Sequence, residues 1–213
     1  MTGRITLIHG WGYDATLWRE VVPLLAGLDV EVCDLGFFGH LQLPAPCDAP
    51  RVAVGHSLGA LWWLAQSGLP WRSLIAINGF PRFTAAPDFP QGVAPRVLDR
   101  MRKRFALAPA TVLVDFQAAC GGSGPILPLD TAPLAAGLQS LANVDGRAAW
   151  TARAADIRAL AGRRDAIVPA ALSEAAGCAL PAGRLRWIED GGHLLPLSHP
   201  RECADLIRAA APA

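Results

Sequence analysis

The sequence predicts an α/β fold, a mostly parallel central sheet with helices on both faces and a helical insertion. Two patterns predict it. Short apolar, β-branched runs alternate with stretches of helical spacing over residues 1–80, and sheet-like runs return only after residue 152. The intervening stretch, 81–152, is rich in proline and helical spacing and holds no convincing strand. The expected organisation is therefore a core of residues 1–80 and 153–213 with an insertion, 81–152, acting as a cap or lid over the strand ends. A chain of 213 residues, 52% of them apolar, suits one domain with a sizeable core rather than a mainly disordered chain.

The elements follow in order. Arg4 to Ile8 reads as the first strand and stops at His9-Gly10-Trp11-Gly12. Ala15 to Leu25 has helical spacing broken by Pro23, and Val30 to Cys33 is a second strand ending at Asp34-Leu35-Gly36. Only 16 residues, 35–50, separate it from the strand at Arg51 to Val54. Ala60 to Gln66 is helical, and Ser73 to Ile77 is a fourth strand. Helices are expected over Val93 to Phe105, Pro109 to Cys120 and Thr131 to Asn143, then strands at Ile157 to Ala161 and Leu185 to Ile188. The last helix starts at Pro200, whose fixed φ suits the first helical position.

Composition narrows the function classes. A formal charge of +1 provides no overall field for nucleic acid or an anionic membrane. The N-terminus lacks the apolar stretch of a secretory signal, and no run is long enough to span a bilayer. Cys33, Cys47, Cys120, Cys178 and Cys203 are scattered and odd in number, which reads as reduced thiols in a cytoplasmic protein. No P-loop, G-x-G-x-x-G or histidine pair at ligand spacing is present, so neither a metal nor a cofactor is expected. A monomer is expected.

The chemistry concentrates at Gly55-His56-Ser57-Leu58-Gly59, a G-x-S-x-G motif between a strand and a helix. That turn forces the serine into a strained conformation with its hydroxyl presented, and side chains at the flanking glycines would collide with neighbouring backbone. Serine needs a base and a group that orients the base. Of five histidines, His193 in Asp190-Gly191-Gly192-His193 follows the last strand on a glycine-rich loop. His56 points away from the serine, His9 lies in the first strand-end loop, and His40 and His199 read as structural. The acid belongs between serine and histidine at a strand's C-terminal end. Asp165 is there; Asp190 is its rival but close to His193 in sequence, and Asp156 opens the strand at the wrong edge. Two backbone N–H groups should hold the oxyanion of a tetrahedral intermediate: Leu58 at the helix start and Trp11 in the loop after the first strand.

With the order Ser57, Asp165, His193 in place, the chain resembles the α/β-hydrolase superfamily. More narrowly it is similar to the pimeloyl-[acyl-carrier protein] methyl ester esterases of biotin synthesis. The resemblance runs through His9-Gly10-Trp11-Gly12, the serine motif, Phe80-Pro81-Arg82-Phe83, Phe116-Gln117-Ala118-Ala119-Cys120, Gly137-Leu138-Gln139-Ser140-Leu141, and Gly192-His193 with Ser198-His199-Pro200. It implies a serine carboxylesterase without cofactor that cleaves the methyl ester of a pimeloyl chain on acyl-carrier protein. It also implies that Trp11, Phe116 and His193 line the acyl site. The chain departs from the longer esterases in that the N-terminal antiparallel hairpin is expected to be missing or reduced, and their carrier-contacting arginines are not matched one for one.

A basic face could take their place: Arg96, Arg100, Lys103 and Arg104 fall at i, i+4, i+7 and i+8, either to dock an acidic carrier or as a solvated surface. The competing readings are a thioesterase or small-ester hydrolase of the same fold and a non-catalytic ligand-binding relative. Cofactor-free lyases and peroxidases also stay open, because a triad does not fix the reaction.

Overall fold

The computed structural model describes residues 3–47, 50–125 and 128–211. Its centre is a seven-stranded sheet, ordered β3-β2-β1-β4-β5-β6-β7. The strands are β1 (Ile5–Ile8), β2 (Val30–Leu35), β3 (Leu41–Gln42), β4 (Arg51–His56), β5 (Trp71–Ile77), β6 (Ile157–Gly162) and β7 (Leu185–Ile188). Every pairing is parallel except β2 with β3, where Asp34 opposes Gln42. The short β2–β4 connection is thus used for an antiparallel edge strand rather than a helix, in line with its length.

Both faces of the sheet are covered, because successive residues of the central strands, which point to opposite faces, are mostly apolar. Ile5, Leu7, Val52, Val54, Ile75 and Ile77 pack on Trp18, Val21 and Ile207, the last from α8 (Pro200–Arg208). Ile8, Ala53, Leu74 and Ala76 face the other way, onto Trp63 of α1 (Leu58–Ala65) and Trp150. The stretch of helical spacing over 15–25, broken by Pro23, forms two short 3₁₀ turns, Ala15–Trp18 and Val22–Leu25. Pro23 lacks the N–H that a continuous helix would need there, and Asp14 caps the first turn through Thr16 N.

Between β5 and β6 lie α2 (Pro95–Leu107), α3 (Pro109–Ala119), α4 (Thr131–Asn143) and α5 (Arg147–Ala152). Their apolar faces form a second cluster: Leu98, Phe105, Leu113, Leu134 and Leu138 pack on Trp11, Phe37 and Leu58 at the sheet end. Two further helices, α6 (Ala170–Cys178) and α7 (Leu195–Ser198), follow β6 and β7. Among the described residues no helix is long and apolar enough to cross a membrane. Burial raises the thiols of Cys33 and Cys120 to about 12, which leaves both protonated at neutral pH.

Candidate active site

Ser57 caps α1 directly after β4, with φ 52° and ψ −118°. The flanking glycines are required by close approach. A Cβ on Gly55 would lie 2.3 Å from Ala60 N, and one on Gly59 would lie 2.3 Å from Ile8 O. No side chain fits either place, so α1 can leave β4 at this angle only with glycine on both sides. The strain at Ser57 is held by the sheet: its N–H donates to Ile77 O at 3.0 Å and its carbonyl accepts from Ala60 N at 3.0 Å.

His193 and Asp165 meet although 28 residues separate them. His193 Nδ1 and Asp165 Oδ2 are 2.8 Å apart, with both side chains almost wholly buried. Asp165 Oδ1 accepts the N–H groups of Ile167 (2.7 Å) and Val168 (2.9 Å), so the carboxylate has three donors. Donation from Nδ1 to the carboxylate leaves His193 Nε2 as the acceptor nitrogen, the protonation state a general base requires. The Ser57 hydroxyl forms no hydrogen bond with a described residue.

The rival residues lie elsewhere. Asp190 is exposed and pairs with His199 Nε2 at 3.3 Å, and Asp156 binds Arg153 at 2.8 Å. His40 is exposed. His9 is buried and pins the loop after β1 to the end of β2: Nδ1 lies 2.9 Å from Gly10 O, and Nε2 accepts Leu35 N–H at 3.0 Å. His56 runs beneath His193, its ring centroid 4.7 Å away and its Nε2 2.8 Å from the His193 carbonyl. Burial, with His193 beside it, holds His56 well below the usual histidine range, so it is neutral and donates from Nε2.

The expected oxyanion donors share one neighbourhood: Gly10 is close enough to Ser57 that a Cβ there would lie 3.1 Å from the serine Cβ. Among the described residues neither Trp11 N–H nor Leu58 N–H has a backbone acceptor. The loop that carries Trp11 is tied to the insertion. Gln117 Nε2 donates to Gly12 O (2.9 Å) and Pro125 O (3.0 Å), and Trp11 Nε1 donates to Leu134 O (2.8 Å). The Trp11 indole N–H is thus spent on packing. The ring itself stands edge-on to Phe116 at 4.8 Å, and Phe116 in turn stands edge-on to His193 at 6.4 Å. Together these groups cover the site, leaving Ser57 5% and His193 2% exposed. A neighbouring apolar cleft of about 290 Å³, lined by Leu35, Phe37, Leu58, Trp62 and Gly137, has neither Ser57 nor His193 in its wall.

Arg96, Arg100, Lys103 and Arg104 are all exposed on α2 and border one shallow groove. Arg104 pairs with Asp115 at 2.7 Å; among the described residues the other three make no ion pair. Sequence reasoning missed Asn78 and Gln117. The one visible signal was at Asn78, where a polar residue followed by glycine closes an apolar strand.

Comparison with known proteins gives the family of the chain. The alpha/beta hydrolase family matches residues 7–206. The chain belongs to that family. It is 32% identical to a pimeloyl-[acyl-carrier protein] methyl ester esterase of Aromatoleum aromaticum, over 95% of this chain and 96% of that one. A protein of the same description from Stenotrophomonas maltophilia is 33% identical, over 98% of this chain and 93% of its own. Among solved structures, a bromoperoxidase from Bacillus anthracis superposes with a TM-score of 0.82 at 17% identity, covering 99% of this chain and 92% of that one. An esterase from Exiguobacterium antarcticum gives 0.80 at 15% identity, covering 97% and 91%. At those identities the structural likeness speaks for the fold alone. The chain is a carboxylesterase-type hydrolase of the alpha/beta hydrolase fold.

Proposed function

We propose that the protein is a serine carboxylesterase that hydrolyses the methyl ester of a pimeloyl chain carried on acyl-carrier protein, in the cytoplasm, as a step of biotin-precursor synthesis. The observation that carries the catalytic part is the buried His193–Asp165 hydrogen bond, together with a serine held at φ 52° on the turn after β4. The methyl ester and the carrier come from the similarity to the esterases of that description over nearly the full chain.

In this reading Ser57 Oγ attacks the ester carbonyl while His193 Nε2 takes its proton. The carbonyl oxygen becomes an oxyanion facing the Trp11 and Leu58 N–H groups, and Asp165 stabilises the imidazolium. The intermediate collapses, His193 protonates the departing methanol, and the acyl group remains on Ser57. Water, activated by His193, then adds to the acyl-enzyme and releases the free carboxylic acid. Residues 81–152 act as a cap. Because Ser57 and His193 are shut off from solvent, substrate enters as the cap separates from the loop after β1, past Trp11 and Phe116.

The exposed face of Arg96, Arg100, Lys103 and Arg104 docks the acidic carrier, with Arg104 already shared with Asp115. Reversing Arg96 and Arg100 to Glu should raise KM for carrier-linked substrate and leave a short free ester unaffected. The deciding experiment incubates the protein with methyl-pimeloyl carrier protein and measures methanol release, with Ser57→Ala as control. Turnover of short free esters without turnover of the carrier-linked one would overturn the carrier assignment and leave an esterase of small substrates. Thioester cleavage in its place would make the protein a thioesterase.

A further inference from the structure

Among the described residues only two other than glycine have positive φ: Ser57 at 52° and Asn78 at 45°. The second follows β5, is 1% exposed, and has no place in the mechanism above. Asparagine is among the few residues besides glycine that adopt this conformation at low cost, so the role of Asn78 is read from what its side chain binds.

The Asn78 carboxamide is fully engaged. Its Nδ2 donates to His193 O (2.8 Å) and Gly192 O (3.0 Å), and its Oδ1 accepts Gly162 N–H (2.8 Å). Only an NH₂ group satisfies two carbonyls at once, which fixes the orientation of the amide. Gly162 ends β6 and roots the Asp165 loop, where Asp165 N reaches Gly162 O at 3.4 Å. Asn78 therefore joins the base of the acid's loop to the main chain of the histidine. The two loops are also in backbone contact, since a Cβ on Gly162 would lie 2.4 Å from Gly191 O. His56 Nε2 supplies a second donor to the His193 carbonyl at 2.8 Å, so that oxygen is held from two directions.

We propose that Asn78 is a positioning residue for His193. Its carboxamide locks the histidine loop to the end of β6 so that the imidazole stays on Asp165 with Nε2 turned to the serine. The proposal rests on the Ser57–His193–Asp165 reading. Without the amide, the Gly192 carbonyl and the Gly162 N–H lose their partner, the His193 carbonyl keeps only His56, the loops separate, and the imidazole spends part of its time off the carboxylate.

The test is Asn78→Gly, which relieves the backbone strain while removing the amide, with Asn78→Asp as a second variant that keeps the Gly162 contact and loses both donors. On a chromogenic short-chain ester, kcat should fall at least about tenfold while KM stays within about threefold, as expected of lost orientation. In Asn78→Gly, which adds no charge beside the histidine, the acidic limb of the kcat/KM profile should move to lower pH, because an imidazolium held less firmly by Asp165 loses its proton more readily. The downfield proton resonance of the His193–Asp165 hydrogen bond should broaden or disappear. Wild-type kcat in either folded variant would overturn the proposal. So would a loss of kcat that follows a lowered Tm while the acidic limb and the resonance stay in place. Parallel Ser57→Ala and His193→Ala controls separate the two levels. If they retain turnover, the catalytic reading itself fails; if they abolish it while Asn78→Gly behaves as wild type, only the role of Asn78 fails.

Discussion

The imidazole of His56 lies under that of His193, ring centroids 4.7 Å apart, and donates to the backbone carbonyl of the residue it supports. Because burial keeps His56 neutral in the folded chain, acid acts on stability through it. The folded pKa lies below the unfolded one, so the unfolded state binds more protons once the pH drops under about 6.5. Its contribution is complete above that pH and declines as the pH falls, at up to about 1.4 kcal/mol per unit. Urea unfolding between pH 7 and 5 should show this slope, and His56→Gln, which can still donate to the carbonyl, should remove that share of it.

Ser57→Ala should reduce ester turnover by at least about 10³-fold and leave the unfolding midpoint close to wild type. The hydroxyl has no hydrogen bond with a described residue, so the fold loses nothing with it. Burst kinetics with a p-nitrophenyl ester, seen in wild type and absent in the variant, would check the acyl-enzyme as well.

Asp165→Asn should cost about 10⁴-fold in kcat. The two N–H donors from Ile167 and Val168 will keep the amide oxygen at the Oδ1 position, which turns the NH₂ toward His193. That forces the imidazole into the opposite tautomer, with Nε2 protonated and unable to act as base. Circular dichroism should remain native, and a loss of fold in its place would contradict the argument.

Gly10→Ala and Gly55→Ala should separate chemistry from folding. A Cβ on Gly10 meets the end of the His56 ring at 2.7 Å, so the ring must shift and activity should fall with a stability loss of about 1–3 kcal/mol. On Gly55 the Cβ meets backbone at 2.3 Å, which cannot yield without moving α1. This second variant should be mostly insoluble or unfolded. Paired thermal melts and activity assays decide it.

Trp11→Phe keeps most of the aromatic packing and removes one donor. The Leu134 carbonyl, 2.8 Å from Trp11 Nε1, then keeps only its partner within α4, and losing the second donor should cost about 0.5–1.5 kcal/mol. Because the bond joins the loop after β1 to α4, hydrogen exchange should speed up first in α4 rather than in the sheet.

The sequence by itself determined the alternating strands and helices, the helical stretch between β5 and β6, and the glycine-flanked serine. These are local properties: apolar periodicity and backbone room are set by neighbours in the chain. It also ranked Asp165 above Asp190, but the pairing with His193 depends on β6 and β7 lying side by side in register, Ala161 against Trp187. The same dependence on packing hid the bond of Trp11 to Leu134 and the clamp of Asn78 on His193, 123 and 115 residues away. The break at Pro23, by contrast, was legible locally, because a proline lacks the backbone N–H that a continuous helix needs. Spacing along a chain fixes which groups can meet only within a turn or two; beyond that, burial of the sheet's two faces chooses the partners.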